Sequence, residues 1–267
     1  MSVFKPDVLA GRVALITGGG TGICKGIAKT FAAHGAKVAV TSRKIENLEQ
    51  TAKEIREAGG ECLPVAADIR KTDQVEAAVK AVVDKYGRLD TLINGAAGNF
   101  LAPAATLSYN AFRTVIEIDL IGTFNMTKAA FAELQKQGEA GKDPSIINIT
   151  ATLHYVGSPM QLHPSAAKAG IDAMIKNLAV EWGPLGIRIN GIAPGPIGDT
   201  EGMKRLAPGD MEKEMTKFIP LRRFGRIQEI ADMSVYLASP AAKYITGAVM
   251  VVDGGQWLAS PAFSMGG

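Results

Sequence analysis

The chain has 267 residues, with 29 Lys and Arg against 26 Asp and Glu, and its net charge of +3 is spread along its length. It offers no basic block for a nucleic acid, only room for a partner carrying a few phosphates. The amino-terminal MSVFKPDVLAG lacks the apolar core of an export signal, and no run is long enough to span a bilayer, so membrane insertion is not expected. One domain, residues 1–267, is expected, because no change in composition divides the chain. Cys24 and Cys62 read as free thiols in a reducing compartment. The tail, Ser264-Met265-Gly266-Gly267, is not a peroxisomal address of the Ser-Lys-Leu type. A cytoplasmic location is therefore expected, or a peroxisomal one only if the carboxyl terminus is truncated.

In chain order, the apolar run Val13 to Thr17 enters Gly18-Gly19-Gly20-Thr21-Gly22-Ile23-Cys24, and a helical pattern follows to about His34. Strand, glycine turn and helix together form a dinucleotide-binding signature, since glycines let the backbone approach a pyrophosphate and the helix amides favour its charge. Cys24 stands where a third glycine would ease helix packing, and it reads as a packing residue. The second strand, Lys37 to Thr41, ends in Ser42-Arg43-Lys44. An NAD-binding fold keeps an acidic residue there for the ribose, whereas a hydroxyl and two cations suit a 2′-phosphate. The cofactor expected is NADPH, with Arg43 the main contact. The alternative is an exposed basic turn.

A helix marked by Ile45, Leu48, Ala52 and Ile55 follows, then a strand from Cys62 to Ala66, a helix marked by Val75, Ala78, Val79, Val82 and Tyr86, and a strand from Asp90 to Asn94. This alternation specifies an α/β fold of Rossmann type: a doubly wound parallel sheet of about seven strands, helices on both faces, ligands at the carboxyl ends of the strands. After Asn94, small residues lead to Asn99 and Phe100 at the mouth, a polar and an aromatic group placed to meet a substrate.

A long helix is expected from about Ser108 to Gln137, with Phe112, Val115, Asp119, Gly122 and Met126 on one apolar stripe. A second helix, from Pro164, places Lys168 on a stripe with Ile171, Ile175, Leu178 and Trp182. A carboxylate and an ammonium on apolar faces are either a structural ion pair or an acid/base pair working in a pocket. The strand Ile187 to Ala193 then reaches Pro194-Gly195-Pro196-Ile197. A polar stretch, about 198–218, reads as a mobile flap. Lys204, Arg205, Arg222, Arg223 and Arg226 could meet an anionic substrate tail. A helix from Ile227 to Leu237 and a strand from Ala248 to Val252 close the chain.

Taken together, Thr17-Gly18 to Gly22, Asn94-Gly95-Ala96-Ala97-Gly98, Lys168, Asn190, Pro194-Gly195 and Asp253-Gly254-Gly255 resemble the short-chain dehydrogenase/reductase family over nearly the whole chain. The family's general-acid Tyr, four residues before the Lys, is Pro164 here, its Ser is Ala151, and its helix Asn is Asp119. Neither Pro164 nor Ala151 can transfer a proton, so alcohol–ketone chemistry is not expected. Tyr155 and His163 are nearby titratable groups that either substitute for the lost acid or serve as packing.

The departures resemble the peroxisomal type of 2,4-dienoyl-CoA reductase: Asn94 to Leu101, Ile118-Asp119, Asn148 to Leu153, Ser165-Ala166-Ala167-Lys168, and Pro194 to Ile197 with Thr200-Glu201-Gly202. The resemblance implies NADPH-dependent reduction of a dienoyl thioester, with a dienolate protonated by a water that Asp119 and Lys168 hold and with Asn99 as a donor to its oxygen. It implies cofactor contacts at Gly18, Gly20, Thr21, Gly22, Ile23, Ser42 and Arg43. Further contacts are implied at Asp68, Ile69, Asn94, Ala96, Ala97, Lys168, Pro194, Gly195 and Ile197. Phe100, Leu162 and Ser165 are implied on the acyl side, with no metal, in a homotetramer. The alternatives are a 2-enoyl thioester reductase and a protein that binds NADP(H) without catalysis. The cofactor half is expected at about 11–100 and the substrate half at about 101–267.

Overall fold

Seven parallel strands among the described residues form a sheet in the order β3-β2-β1-β4-β5-β6-β7. The structure is a computed structural model in which residues 3–200, 202–203 and 211–259 are described. The strands are β1 (Val13–Thr17), β2 (Lys37–Ser42), β3 (Cys62–Ala66), β4 (Thr91–Asn94), β5 (Ser145–Ile149), β6 (Arg188–Pro194) and β7 (Val249–Val252). Strand order reverses between β1 and β4, and a reversal of this kind opens a crevice at the carboxyl edge. The central strands β1, β4, β5 and β6 are buried along their whole length, as expected of a parallel sheet covered on both faces.

Helices α1 (Gly22–Ala33), α2 (Ile45–Glu57) and α8 (Ile227–Ala238) cover one face, where Phe31, Leu48, Ile55, Ile230 and Val235 pack onto Val38, Val40 and Ile192. The other face carries α3 (Thr72–Tyr86), α5 (Gly122–Glu139) and α6 (Leu162–Trp182), with Val79, Met126, Leu134, Ile171 and Ile175 on Leu15, Leu92 and Ile189. The amino edge is clasped by charge. Asp143, in the turn before β5, takes Arg188 Nε at 2.7 Å and Nη2 at 3.2 Å, while its carbonyl accepts from Arg12 at 3.1 Å. Arg188 also donates to the Leu237 carbonyl at 2.8 Å, which ties β6 to the end of α8.

The long helix expected from Ser108 to Gln137 is broken in its ladder. Helix α4 (Tyr109–Ile116) passes into a π-turn, Glu117–Ile121, before α5 resumes. Ser108 caps the start by accepting from the Ala111 amide at 3.1 Å. A π-turn wraps one more residue than an α-turn and leaves carbonyls without their usual partners. The Asp119 carbonyl instead accepts from the Thr123 hydroxyl at 2.6 Å. A short helix, α7 (Met211–Thr216), lies within the stretch expected as a flap. Lys204 and Arg205 lie outside the described residues, as do Glu201 and the tail.

Candidate active site

The carboxyl ends of the strands surround a cavity of about 530 Å³. The chain enters it through the turn after β1. Gly18 has φ +71°, and a Cβ there would stand 3.0 Å from the Gly95 carbonyl oxygen, so only glycine lets the first turn lie against the loop after β4. The Thr17 hydroxyl oxygen fixes that closeness by accepting from the Gly95 and Ala96 amides at 2.9 and 3.1 Å. Gly20, Thr21, Gly22 and Ile23 continue along the cavity wall into α1. The bare backbone turn with a helix N-terminus behind it fits a pyrophosphate.

Cys24 is buried, and burial pushes its thiol up to about 12, which suits a packing residue. Room for its sulfur comes from a glycine on the opposite loop. A Cβ on Gly95 would approach Cys24 Sγ to 2.2 Å.

The far end of the cavity is formed by Ser42 and Arg43 after β2 and by Asp68 and Ile69 after β3. Asp68 is engaged by Arg70, whose Nε lies 2.9 Å from Oδ1 and whose Nη2 lies 2.5 Å from Oδ2, and these bonds hold its carboxyl below the usual range. With that carboxylate neutralised, Arg43 and Lys44 give the rim a positive character.

Ala96, Ala97 and Asn99 after β4, and Pro194, Gly195 and Ile197 after β6, line the middle. The Asn94 side chain does not. Its amide nitrogen donates to Asn148 Oδ1 and Thr127 Oγ1, both at 3.0 Å, so it bonds β4 to β5 and α5 inside the protein.

The centre belongs to Asp119 and Lys168, buried together with Nζ 3.5 Å from Oδ2. That is an ion pair, too long for a strong hydrogen bond. Lys168 is anchored by donating to the Ile149 carbonyl at 3.0 Å, at the end of β5. Asp119 Oδ1 accepts from the Gly98 amide at 2.7 Å, and Oδ2 has no hydrogen-bond partner among the described residues. Burial raises the carboxyl above its usual range, against the pull of Lys168 and of the Gly98 amide. The site therefore offers an ammonium, a carboxyl with an affinity for a proton, and one carboxyl oxygen still able to bond. Ala151 and Pro164 also line this region, and neither carries a titratable group.

The substrate-side residues lie beside the cavity, outside its lining. Phe100 stacks on His163 at 4.3 Å, Leu162 is half-exposed, and Ser165 holds a buried hydroxyl without a partner among the described residues. Asn99 Nδ2 donates to Gln161 Oε1 at 3.0 Å and the Ala102 amide to the Met160 carbonyl at 3.0 Å, so the loops after β4 and β5 close against each other over the mouth. Tyr155 is committed elsewhere. Its hydroxyl donates to Asp172 Oδ2 at 3.0 Å, an oxygen that His154 Nε2 also approaches at 2.7 Å. Of the basic residues after Gly198, Arg223 is spent in a bidentate pair with Glu229 at 2.6 and 2.9 Å. The Gly98 amide and the Ile149 carbonyl, which hold the central pair, had no signal in the sequence because both are main-chain groups.

This strand order, glycine cradle and lysine define a nicotinamide-dinucleotide-binding reductase fold, and the chain belongs to the short-chain dehydrogenase/reductase family. Residues 18–256 match the family model described as Enoyl-(Acyl carrier protein) reductase. Among particular proteins, the chain is 48% identical to the peroxisomal 2,4-dienoyl-CoA reductase [(3E)-enoyl-CoA-producing] of Arabidopsis thaliana, over 97% of this chain and 89% of that protein. Its counterpart of Danio rerio is 47% identical, over 97% and 85%. A short chain dehydrogenase from Bacillus anthracis has a TM-score of 0.85 at 43% identity, covering 94% of this chain and 98% of that one. A 3-ketoacyl-(acyl-carrier-protein) reductase from Brucella melitensis, complexed with NADH, reaches 0.87 at 33% identity, covering 93% and 99%.

Proposed function

We propose that this protein reduces 2,4-dienoyl-CoA thioesters with NADPH. The observation that carries the reading is the Asp119–Lys168 pair facing a cavity whose wall has Ala151 and Pro164 in place of hydroxyl donors. When bound in this cavity, NADPH would supply a hydride, which the conjugated chain would accept at its far carbon as the electrons pass through the double bonds to the thioester oxygen. A dienolate needs a donor at that oxygen and a proton at carbon, and it needs no acid to make an alcohol. Asn99 is the donor, through the amide N–H that it does not give to Gln161. The relatives are described as (3E)-enoyl-CoA-producing, and the same product here would put the proton on the α carbon.

Asp119 and Lys168 supply that proton through a water. A separation of 3.5 Å leaves no room on the line between them, so a water that bonds both sits to one side, using the free Oδ2. The water protonates carbon and takes a proton back from the pair. Lys168 stabilises the developing negative charge by its own charge and binds the nicotinamide ribose. Arg43, with Ser42 and Lys44, takes the 2′-phosphate. The enzyme works as a homotetramer in the cytoplasm, which gel filtration and cell fractionation test.

The family model's description favours a second reading, reduction of a 2-enoyl thioester. Loss of reduced-nicotinamide absorbance is to be followed with 2,4-hexadienoyl-CoA, crotonyl-CoA and a simple ketone, each with NADPH and with NADH. Turnover with the dienoyl thioester and NADPH is expected. Turnover with crotonyl-CoA alone selects the second reading, and NADPH binding without turnover means a cofactor-binding protein without catalysis.

A further inference from the structure

This chemistry leaves one buried titratable side chain unused. His163, on the first turn of α6, is 0% exposed, and its ring lies 4.3 Å from that of Phe100 at an interplanar angle of 35°. Its nitrogens lie near the Phe100 backbone without a well-formed hydrogen bond to any described residue. A buried imidazole left this way has lost its hydrogen bonds to water without replacing them, so a purely structural role would be better filled by an apolar ring. Its surroundings single out what it does. The loop after β4 presents Asn99, Phe100 and Leu101 and its own turn presents Leu162, Pro164 and Ser165, all uncharged. The π-turn packs against α6, and Lys168, on the next turn of α6 from His163, holds Asp119 at 3.5 Å, so Asp119 is the charged group of that neighbouring element that bears on the imidazole.

We infer that His163 is a positioning residue that holds Phe100 as the wall of the acyl slot and, through its own charge, sets the ionisation of Asp119. The inference rests on the reading of Asp119 as part of the proton supply. Burial lowers the imidazole below its ordinary value of 6.5, so at neutral pH it is an uncharged ring behind Phe100. Protonation at lower pH places a cation one helical turn from the Asp119–Lys168 pair, favours the carboxylate over the carboxyl and withdraws the proton the water must recover. The same residue then controls two separable quantities: fit of the acyl chain through the stack, and turnover through the charge.

Three variants and one titration test this. With 2,4-hexadienoyl-CoA and NADPH, the wild-type kcat profile is expected to bend downward on the acid side of pH 6.5. His163→Phe keeps an aromatic ring and loses the charge, so the bend disappears while KM stays within about twofold of wild type. His163→Ala loses both, and KM for the thioester rises by about two- to tenfold as the stack goes. Phe100→Leu raises KM and keeps the bend. NADPH affinity, read by fluorescence, reports whether each variant is folded.

The chain has three histidines, so an NMR titration of the wild type resolves His163 without any variant at that site. It should titrate below 6.5 and move lower still in Asp119→Asn. An acid bend that persists in His163→Phe, an unchanged KM in His163→Ala, or a His163 titration indifferent to Asp119→Asn overturns the inference. If the wild type reduces no dienoyl thioester, the underlying reading has failed instead, and the titration alone decides whether His163 and Asp119 are coupled.

Discussion

Asp119→Asn removes one charge from the centre of the site with almost no change of shape. The Asp119 carboxyl accepts from the Gly98 amide at 2.7 Å and faces Lys168 Nζ at 3.5 Å. An amide can satisfy one of these donors and must turn its NH2 toward the other. Lys168 is left buried with the Ile149 carbonyl as its remaining partner. Breaking a buried pair by removing one member costs about 3–5 kcal/mol, and the surviving bond to Ile149 places the cost here near about 3 kcal/mol. At about 2–4 °C per kcal/mol for a chain of this size, the midpoint of thermal unfolding should fall by about 6–12 °C. Turnover should fall further than stability. Loss of positioned acid–base assistance is worth about 10²- to 10⁴-fold, so kcat with 2,4-hexadienoyl-CoA should drop by that factor while NADPH affinity changes little. The assay is steady-state oxidation of NADPH well below the variant's unfolding midpoint. A kcat within about threefold of wild type would refute the proton-supply role and leave Asp119 as a structural partner of Lys168.

The remaining predictions concern the cofactor, the packing behind it and pH. Arg43→Ala should weaken NADPH binding by about 10- to 100-fold, the worth of a charged hydrogen bond, and leave NADH binding nearly unchanged, as read by fluorescence titration. Equal losses for both cofactors would remove the 2′-phosphate assignment. Gly95→Ala should disrupt NADPH binding because its Cβ meets Cys24 Sγ at 2.2 Å, and Cys24→Ala should restore it; no rescue would mean the clash lies elsewhere. Cys24 and Cys62, both buried and both pushed to about 12, should resist alkylation at neutral pH until the protein unfolds. In stability, Asp119 acts as a raised acid: its contribution is complete below the ordinary carboxylate range and is lost as pH rises through its folded value. Glu54 and Glu229, both lowered from 4.5 to about 2 by bonds to Lys25 and Arg223 respectively, act in the opposite sense. Their contribution is complete above about 4.5 and disappears as pH falls toward about 2. Thermal unfolding followed across this range should show both trends, with the first absent in Asp119→Asn.

Periodicity and punctuation disclosed the sheet because most strands here are short, largely apolar stretches bounded by turn residues. The glycine turn after β1, the cations after β2 and the polar groups on the stripes of α6 and of the π-turn led to the cavity for the same reason: each breaks a pattern its surroundings establish. Asp119 shows where such reading stops. A 3.6-residue stripe runs through Phe112, Val115, Asp119 and Met126 without any trace of the π-turn, because a change in backbone bonding leaves residue types untouched. Asn94 shows a second limit. A polar residue at a strand end is equally suited to a ligand and to another asparagine, and only the partner strand, with Asn148 in register with it, decides. His163 shows a third, since its burial depends on Phe100, more than sixty residues away in sequence.

The clasp of Arg12, Asp143 and Arg188 lies at the sheet edge opposite the cavity, and this separation makes the molecule divisible for an engineer. Holding the chain together and doing chemistry on a thioester are assigned to opposite rims, with the sheet and its covering helices between them. The clasp rim can be cross-linked, tethered to a support or fused to another protein while the cavity end is left untouched. A library of variants confined to the clasp would then trade in durability, and one confined to the loops after β4 and β5 would trade in selectivity, with little interference between the two searches.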